Sequence, residues 1–130
     1  MLFMSPQHVE TMNELLAASE EVKEAAAALD RDYVILYELS NGRAGVTEYW
    51  SLSFAGGEVR FGLEAVADPD VKLVGDWYRM VTASRLGREG EHVDPGVAVA
   101  GDPTVFEKVA VAFEAAGRVA TVPVDWPDPV

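Results

Sequence analysis

The stretch 46–63 constrains the fold of this chain more than any other. Residues 46–54 alternate, with Trp50, Leu52 and Phe54 on one side and Tyr49, Ser51 and Ser53 on the other. That is the period of a strand with one buried face. Ala55-Gly56-Gly57-Glu58 is a tight hairpin signal. Val59, Phe61 and Leu63 then alternate with Glu58, Arg60 and Gly62. Strands joined by so short a turn run antiparallel, which excludes an all-parallel, doubly wound sheet.

The flanking segments supply helices. Ser5-Pro6 reads as an N-cap followed by a proline in the first turn, with Met4 and Val9 placed as a hydrophobic staple. Met12, Leu15, Leu16, Ser19, Val22, Ala26 and Leu29 follow at helical spacing, as one helix or as a pair broken somewhere near Ser19. Glu10, Glu14, Glu20, Glu21 and Glu24 form its solvated side. Residues 33–39 are apolar on both faces, which predicts a strand inside the sheet and covered on both sides. Residues 41–45 and 68–70 read as turns, and 71–74 as a short strand. Gly75-Asp76 opens a short helix whose apolar side is Trp77, Met80 and Val81. Residues 84–96 are polar and glycine-bearing and read as a loop.

A similar unit closes the chain. Strand 97–100 runs into Gly101-Asp102, where Asp102 reads as an N-cap and Pro103 as the first helical residue. Val105, Phe106, Val109, Ala110, Phe113 and Ala116 share one side of the following helix, and Gly117 reads as its C-cap. Residues 121–124 read as a final edge strand that tolerates Pro123. The expected class is α+β. It has a five- to six-stranded mixed or antiparallel sheet with helices packed on one main face. One domain is expected over 1–130, with its core in 5–117.

Charge narrows the partners. Ten basic residues against 22 acidic ones give a net charge of −12. A field of that sign repels phosphate backbones and anionic lipid surfaces, so neither nucleic acid nor stable membrane association is expected. The chain has no cysteine, which excludes disulfides, thiolate metal sites and a cysteine nucleophile. Residues 1–4 are too short for a signal segment, and no apolar run approaches the length of a membrane span. A cytoplasmic protein is expected.

Little here suggests catalysis. His8 and His92 are isolated and read as surface residues. No metal-ligand spacing, nucleophile elbow or phosphate loop occurs, so no catalytic set, metal or cofactor is assigned. Glu48, Asp76 and Asp102 are the carboxylates that could act in catalysis; Glu48 reads first as a solvated strand end, and Asp76 and Asp102 as caps. What remains is apolar. Trp50, Phe54, Phe61, Trp77, Met80, Val81, Phe106 and Phe113 sit on faces that converge between sheet and helices. They form either a filled core or the lining of a ligand cavity.

The order of motifs resembles the sterol carrier protein-2-like domains. The resemblance rests on the hairpin Trp50-Ser51-Leu52-Ser53-Phe54-Ala55-Gly56-Gly57 and on the segment from Ala65 through Gly75-Asp76-Trp77. It rests also on Val97-Ala98-Val99-Ala100-Gly101-Asp102 with its helix, and it spans about 5–117. Ala98 and Ala100 stand where lysines are often found in eukaryotic members. The resemblance implies a five-stranded α+β layer with an apolar tunnel. It also implies non-enzymatic binding or transfer of a lipid, fatty acid or sterol-like molecule. An accessory or homodimeric module without ligand is the alternative within that fold. A small enzyme of the nuclear transport factor 2-like kind, with Glu48 or Asp76 as base, is the alternative outside it.

Overall fold

The computed structural model describes residues 1–127. They form helices α1 (Pro6–Ala18), α2 (Glu20–Ala27), α3 (Trp77–Arg88) and α4 (Val105–Ala120). The strands are β1 (Tyr33–Ser40), β2 (Glu48–Ala55), β3 (Glu58–Gly62), β4 (Val71–Asp76) and β5 (Ala98–Gly101). They make one sheet in the order β3-β2-β1-β4-β5. Only β1 and β4 run parallel; the other neighbours are antiparallel. The fold is therefore α+β with a mixed sheet, as the sequence predicts.

Local chemistry explains the element starts. The Ser5 hydroxyl accepts from His8 N–H, and Ser19 ends α1 and caps α2 by accepting from Val22 N–H. One serine thus divides the acidic helix into two. Gly56 and Gly57 both adopt positive φ, which lets Ala55 pair directly with Glu58 across a two-residue turn. At the outer edge of β3 the Asn13 side chain receives Phe61 N–H at 2.8 Å and donates to Phe61 C=O at 3.0 Å. A helix side chain so satisfies backbone groups that an edge strand would otherwise expose.

Alternation decides which face is core. Tyr33, Ile35 and Leu39 of β1, Trp50, Leu52 and Phe54 of β2, and Val71 and Leu73 of β4 join one cluster with the buried sides of all four helices. The register places Tyr33 beside Phe54, Ile35 beside Leu52 and Val71, and Tyr37 beside Trp50 and Leu73. The opposite face of β1 was expected to be covered as well. It carries Leu36, which is buried yet outside that cluster, and Glu38, whose carboxylate pairs with Lys72 at 3.2 Å. The strand partners of Leu36 are Ser51 and Lys72, so this face of the sheet is partly polar where the core face is apolar.

Four further expectations are corrected. The segment 84–96 is not all loop: α3 continues to Arg88. Its polar residues fit inside a helix because Ser84 donates back to Met80 C=O, four residues earlier. Gly117 is not a C-cap; α4 runs through it to Ala120. Regular helix α4 starts two residues late, at Val105. The Asp102 carboxylate accepts from both Thr104 N–H and Thr104 O–H, capping the turn that leads into the helix. Finally, residues 121–124 do not join the sheet. They belong to an extended tail that makes a single parallel bridge, Leu2 with Asp125.

That bridge ties the ends of the described chain together. Phe3 N–H donates to Asp125 C=O at 2.8 Å, and Asp125 N–H to Met1 C=O at 2.7 Å. The Phe3 ring lies 4.5 Å from the Trp126 ring and edge-on to Trp50 at 5.6 Å. The tail thus covers the sheet end where the N-terminal segment turns into α1.

Candidate functional site

A cavity of about 260 Å³ lies between the sheet and helices α1, α3 and α4. It exists because α4 presents Ala116, Gly117 and Ala120 to it, where larger residues would fill the space. Its inner wall is buried: Met4, His8, Met12, Trp50 and Leu52. Its outer rim is exposed: Arg88, Phe113, Gly117 and Thr121. The mouth therefore opens between the C-terminal end of α3 and the last turns of α4. The volume falls just below the roughly 300–1,000 Å³ of drug-sized ligand sites, so the space suits a small apolar molecule or a short chain.

Four of the eight residues expected from sequence line this cavity: Trp50, Phe61, Met80 and Phe113. The other four lie elsewhere. Phe54 and Val81 are fully enclosed in the core cluster, Trp77 is buried in it, and Phe106 is partly buried against it. All eight have the right period, but the cavity occupies only the end of the sheet where α4 is small-sided.

The carboxylates weighed as a base have structural partners and lie outside the cavity lining. Asp76 is the N-cap of α3: it accepts from Arg79 N–H at 3.0 Å and from the Asn41 amide at 3.0 Å. Those bonds, the Asn41 one foremost, hold its carboxyl below the usual carboxylate range. Glu48 accepts from Arg43 N–H at 2.9 Å and lies 3.7 Å from the Arg43 guanidinium.

His8 was expected at the surface and is instead fully buried in the cavity wall. The local reason is the backbone. Met4 adopts a positive φ of 52° just before the Ser5 cap, and its N–H points at His8 Nδ1 at 2.9 Å. A ring that accepts at Nδ1 is neutral and carries its proton on Nε2. Burial, then the nearby Arg88 charge, then the N-terminal amine lower its pKa from the usual 6.5. His92, by contrast, lies exposed in the loop after α3. Two further cavity residues were missed by sequence because their partners are remote. Arg88 reaches from α3 over the Trp126 ring and donates to Val122 C=O. Phe3 meets His8, Trp50 and Trp126 together.

The His8 shift has a measurable consequence. The unfolded chain binds a proton at His8 near its ordinary pKa, and the native state resists it until lower pH. Native stability therefore declines as pH falls through about 6.5 and continues to decline down to the depressed native pKa. The slope for one group is at most about 1.4 kcal/mol per pH unit. Urea melts of the protein and of His8→Phe between pH 8 and pH 5 should show the wild type losing more stability over that window. Parallel pH profiles would contradict a buried neutral His8.

No family model matches the chain, and no curated protein matches it. Solved structures do share its fold. Sterol carrier protein 2 from Yarrowia lipolytica, in its apo form, is 20% identical, with a TM-score of 0.52 over 92% of this chain and 94% of that one. A crystal structure of sterol carrier protein 2 is 16% identical, with a TM-score of 0.57 over 91% and 96% of the two chains. A ubiquinone synthesis protein, UbiJ-SCP2, is 23% identical, with a TM-score of 0.50 over 91% and 97%. At these identities the likeness is one of architecture. The helices, the mixed five-stranded sheet and the near-complete mutual coverage give this chain the sterol carrier protein 2 fold.

Proposed function

We propose that this protein binds and carries a small apolar molecule, without chemistry, in the cavity between its sheet and helices α1, α3 and α4. The observation that carries this reading is the cavity itself. It is walled mainly by Met, Phe, Trp, Leu and Ala side chains and opens at one rim. The sterol carrier protein 2 fold of the solved structures supports a lipid-like cargo. The net charge of −12 supports carriage through solution in a cytoplasmic setting rather than residence on nucleic acid or an anionic membrane. Native mass spectrometry of the purified protein, with extraction of bound small molecules, tests it. A population heavier by one apolar molecule is expected. Bare chain alone, with no uptake of added medium-chain compounds, would overturn it.

One observation favours a second reading, a homodimeric or accessory module. Strand β5 forms an edge of the sheet, and all four of its residues are exposed. An unpaired edge is a template for another strand. Sedimentation velocity separates the two: a concentration-dependent dimer that Val99→Lys abolishes would favour the module, and a monomer at every concentration would exclude a homodimer.

A further inference from the structure

Two residues of the cavity wall, His8 and Trp50, carry buried N–H donors, Nε2 and Nε1, that have no partner among the described residues. Both side chains are more than nine-tenths buried. They flank the same ring, each centroid 5.6 Å from that of Phe3, which also lines the cavity. His8 is held by the Met4 N–H on its other nitrogen, which fixes the proton on the side left free. An unpaired buried donor costs about 1–3 kcal/mol, and this wall holds two.

We propose that the cargo carries a neutral carbonyl oxygen and binds with that oxygen inward, accepting hydrogen bonds from His8 Nε2–H and Trp50 Nε1–H, while its apolar remainder points to the mouth. This inference rests on the carrier reading and names the class of cargo. Three features select the carbonyl. First, His8 and Trp50 can only donate here, and a carbonyl oxygen can only accept. Water or an alcohol would bring protons of its own. The acceptors such protons would need are few in the lining: the hydroxyls of Tyr37, Ser51, Ser84 and Thr121 among mainly apolar side chains. Second, the one cation near the donors is already engaged. Among the described residues Arg88 is the only charged side chain in the lining; it is exposed, and its guanidinium lies over the Phe3 and Trp126 rings and donates to Val122 C=O. A carboxylate placed against the two donors would lose its hydration with only that already engaged guanidinium nearby, and burying such a charge is far more costly than burying a carbonyl. A fatty acid would therefore leave its head at the rim, near Arg88. Third, the volume suits a short cargo. The cavity equals about nine waters at their liquid volume, which sets the size of the probes.

The probes are 2-octanone, octanoate and n-octane, matched in carbon number. Binding is followed by tryptophan fluorescence and by the indole and imidazole N–H signals in nitrogen–proton correlation spectra. We expect 2-octanone to bind at least tenfold more tightly than n-octane. We expect it to move the Trp50 Nε1–H and His8 Nε2–H protons downfield, and n-octane to leave them. Trp50→Phe keeps a ring and removes the donor; His8→Phe removes the other. Each should narrow the ketone-to-alkane ratio at least threefold. Because His8→Phe also frees the Met4 N–H, Trp50→Phe carries the test if His8→Phe fails to fold. Equal affinity for ketone and alkane would overturn the proposal and leave the carrier reading intact. Octanoate moving the two N–H signals as far as the ketone would overturn the choice of a neutral head. Failure of all three probes to bind would overturn both this inference and the carrier reading.

Discussion

Phe54→Ala should lower the unfolding free energy by about 3–5 kcal/mol while leaving the ligand affinity of the folded fraction unchanged. Phe54 is 1% exposed and sits in the middle of the β3-β2-β1 half of the sheet, paired with Tyr33 on one side and Val59 on the other. Those neighbours are themselves buried core. Ala there removes a whole ring from a close-packed site, and the strands around it are hydrogen-bonded and cannot close the gap. The cavity lies elsewhere along the sheet, so binding should not register the loss. Urea denaturation gives the first quantity, and titration with a bound-state fluorescence change, corrected for folded fraction, gives the second. A stability loss under about 1 kcal/mol with a tenfold fall in affinity would move Phe54 from the core into the binding site.

Gly101→Ala should cost about 3 kcal/mol or more, seen as a melting temperature lower by roughly 10 °C in a chain of this size. Gly101 has φ +101°, a conformation costly for any residue with a Cβ, by roughly 1–3 kcal/mol. The added methyl would also stand 2.6 Å from the Asp70 carbonyl oxygen, a backbone atom that cannot rotate away. That oxygen accepts from Asp102 N–H at 3.1 Å, and the Asp70 carboxylate receives Val34 N–H at 2.7 Å and the Arg31 guanidinium at 2.8 Å. Asp70 thus links β1, β4 and β5, and the methyl would push on all three. Differential scanning calorimetry reads the effect. A variant melting within 2–3 °C of wild type, a shift worth roughly 1 kcal/mol, would mean the turn can relax away from Asp70.

Much of the architecture was legible from residues close in sequence. The β2–β3 hairpin followed from alternation and a Gly-Gly turn. The Ser5 and Asp76 caps placed two helix starts, and a break near Ser19 is where α1 ends and α2 begins. These features act within a few residues of backbone, through a cap, a positive φ or a side-chain period. Local windows therefore contain all that decides them. The order of such units along the chain was enough to suggest the sterol carrier protein fold.

Helix ends and the site were decided by partners far away in sequence. Residues 84–88 look like loop until Arg88 is seen lying against Trp126, and Gly117 looks like a stop until its lack of a side chain is seen to leave room in the cavity. His8 looks like a surface residue and becomes buried because Phe3 packs against its ring and Met4 N–H binds its Nδ1. Periodicity assigns a residue to a face, and the eight apolar residues were placed on core-facing sides by it. Whether that face meets another side chain or an empty space depends on the volume of what packs opposite. On this sheet Phe54 meets Tyr33 and Val59, while Trp50 and Phe61 border the hollow beside Ala116, Gly117 and Ala120. Burial, protonation at His8 and the hollow itself are sums over contacts between distant segments, and only the tertiary structure brings those segments together.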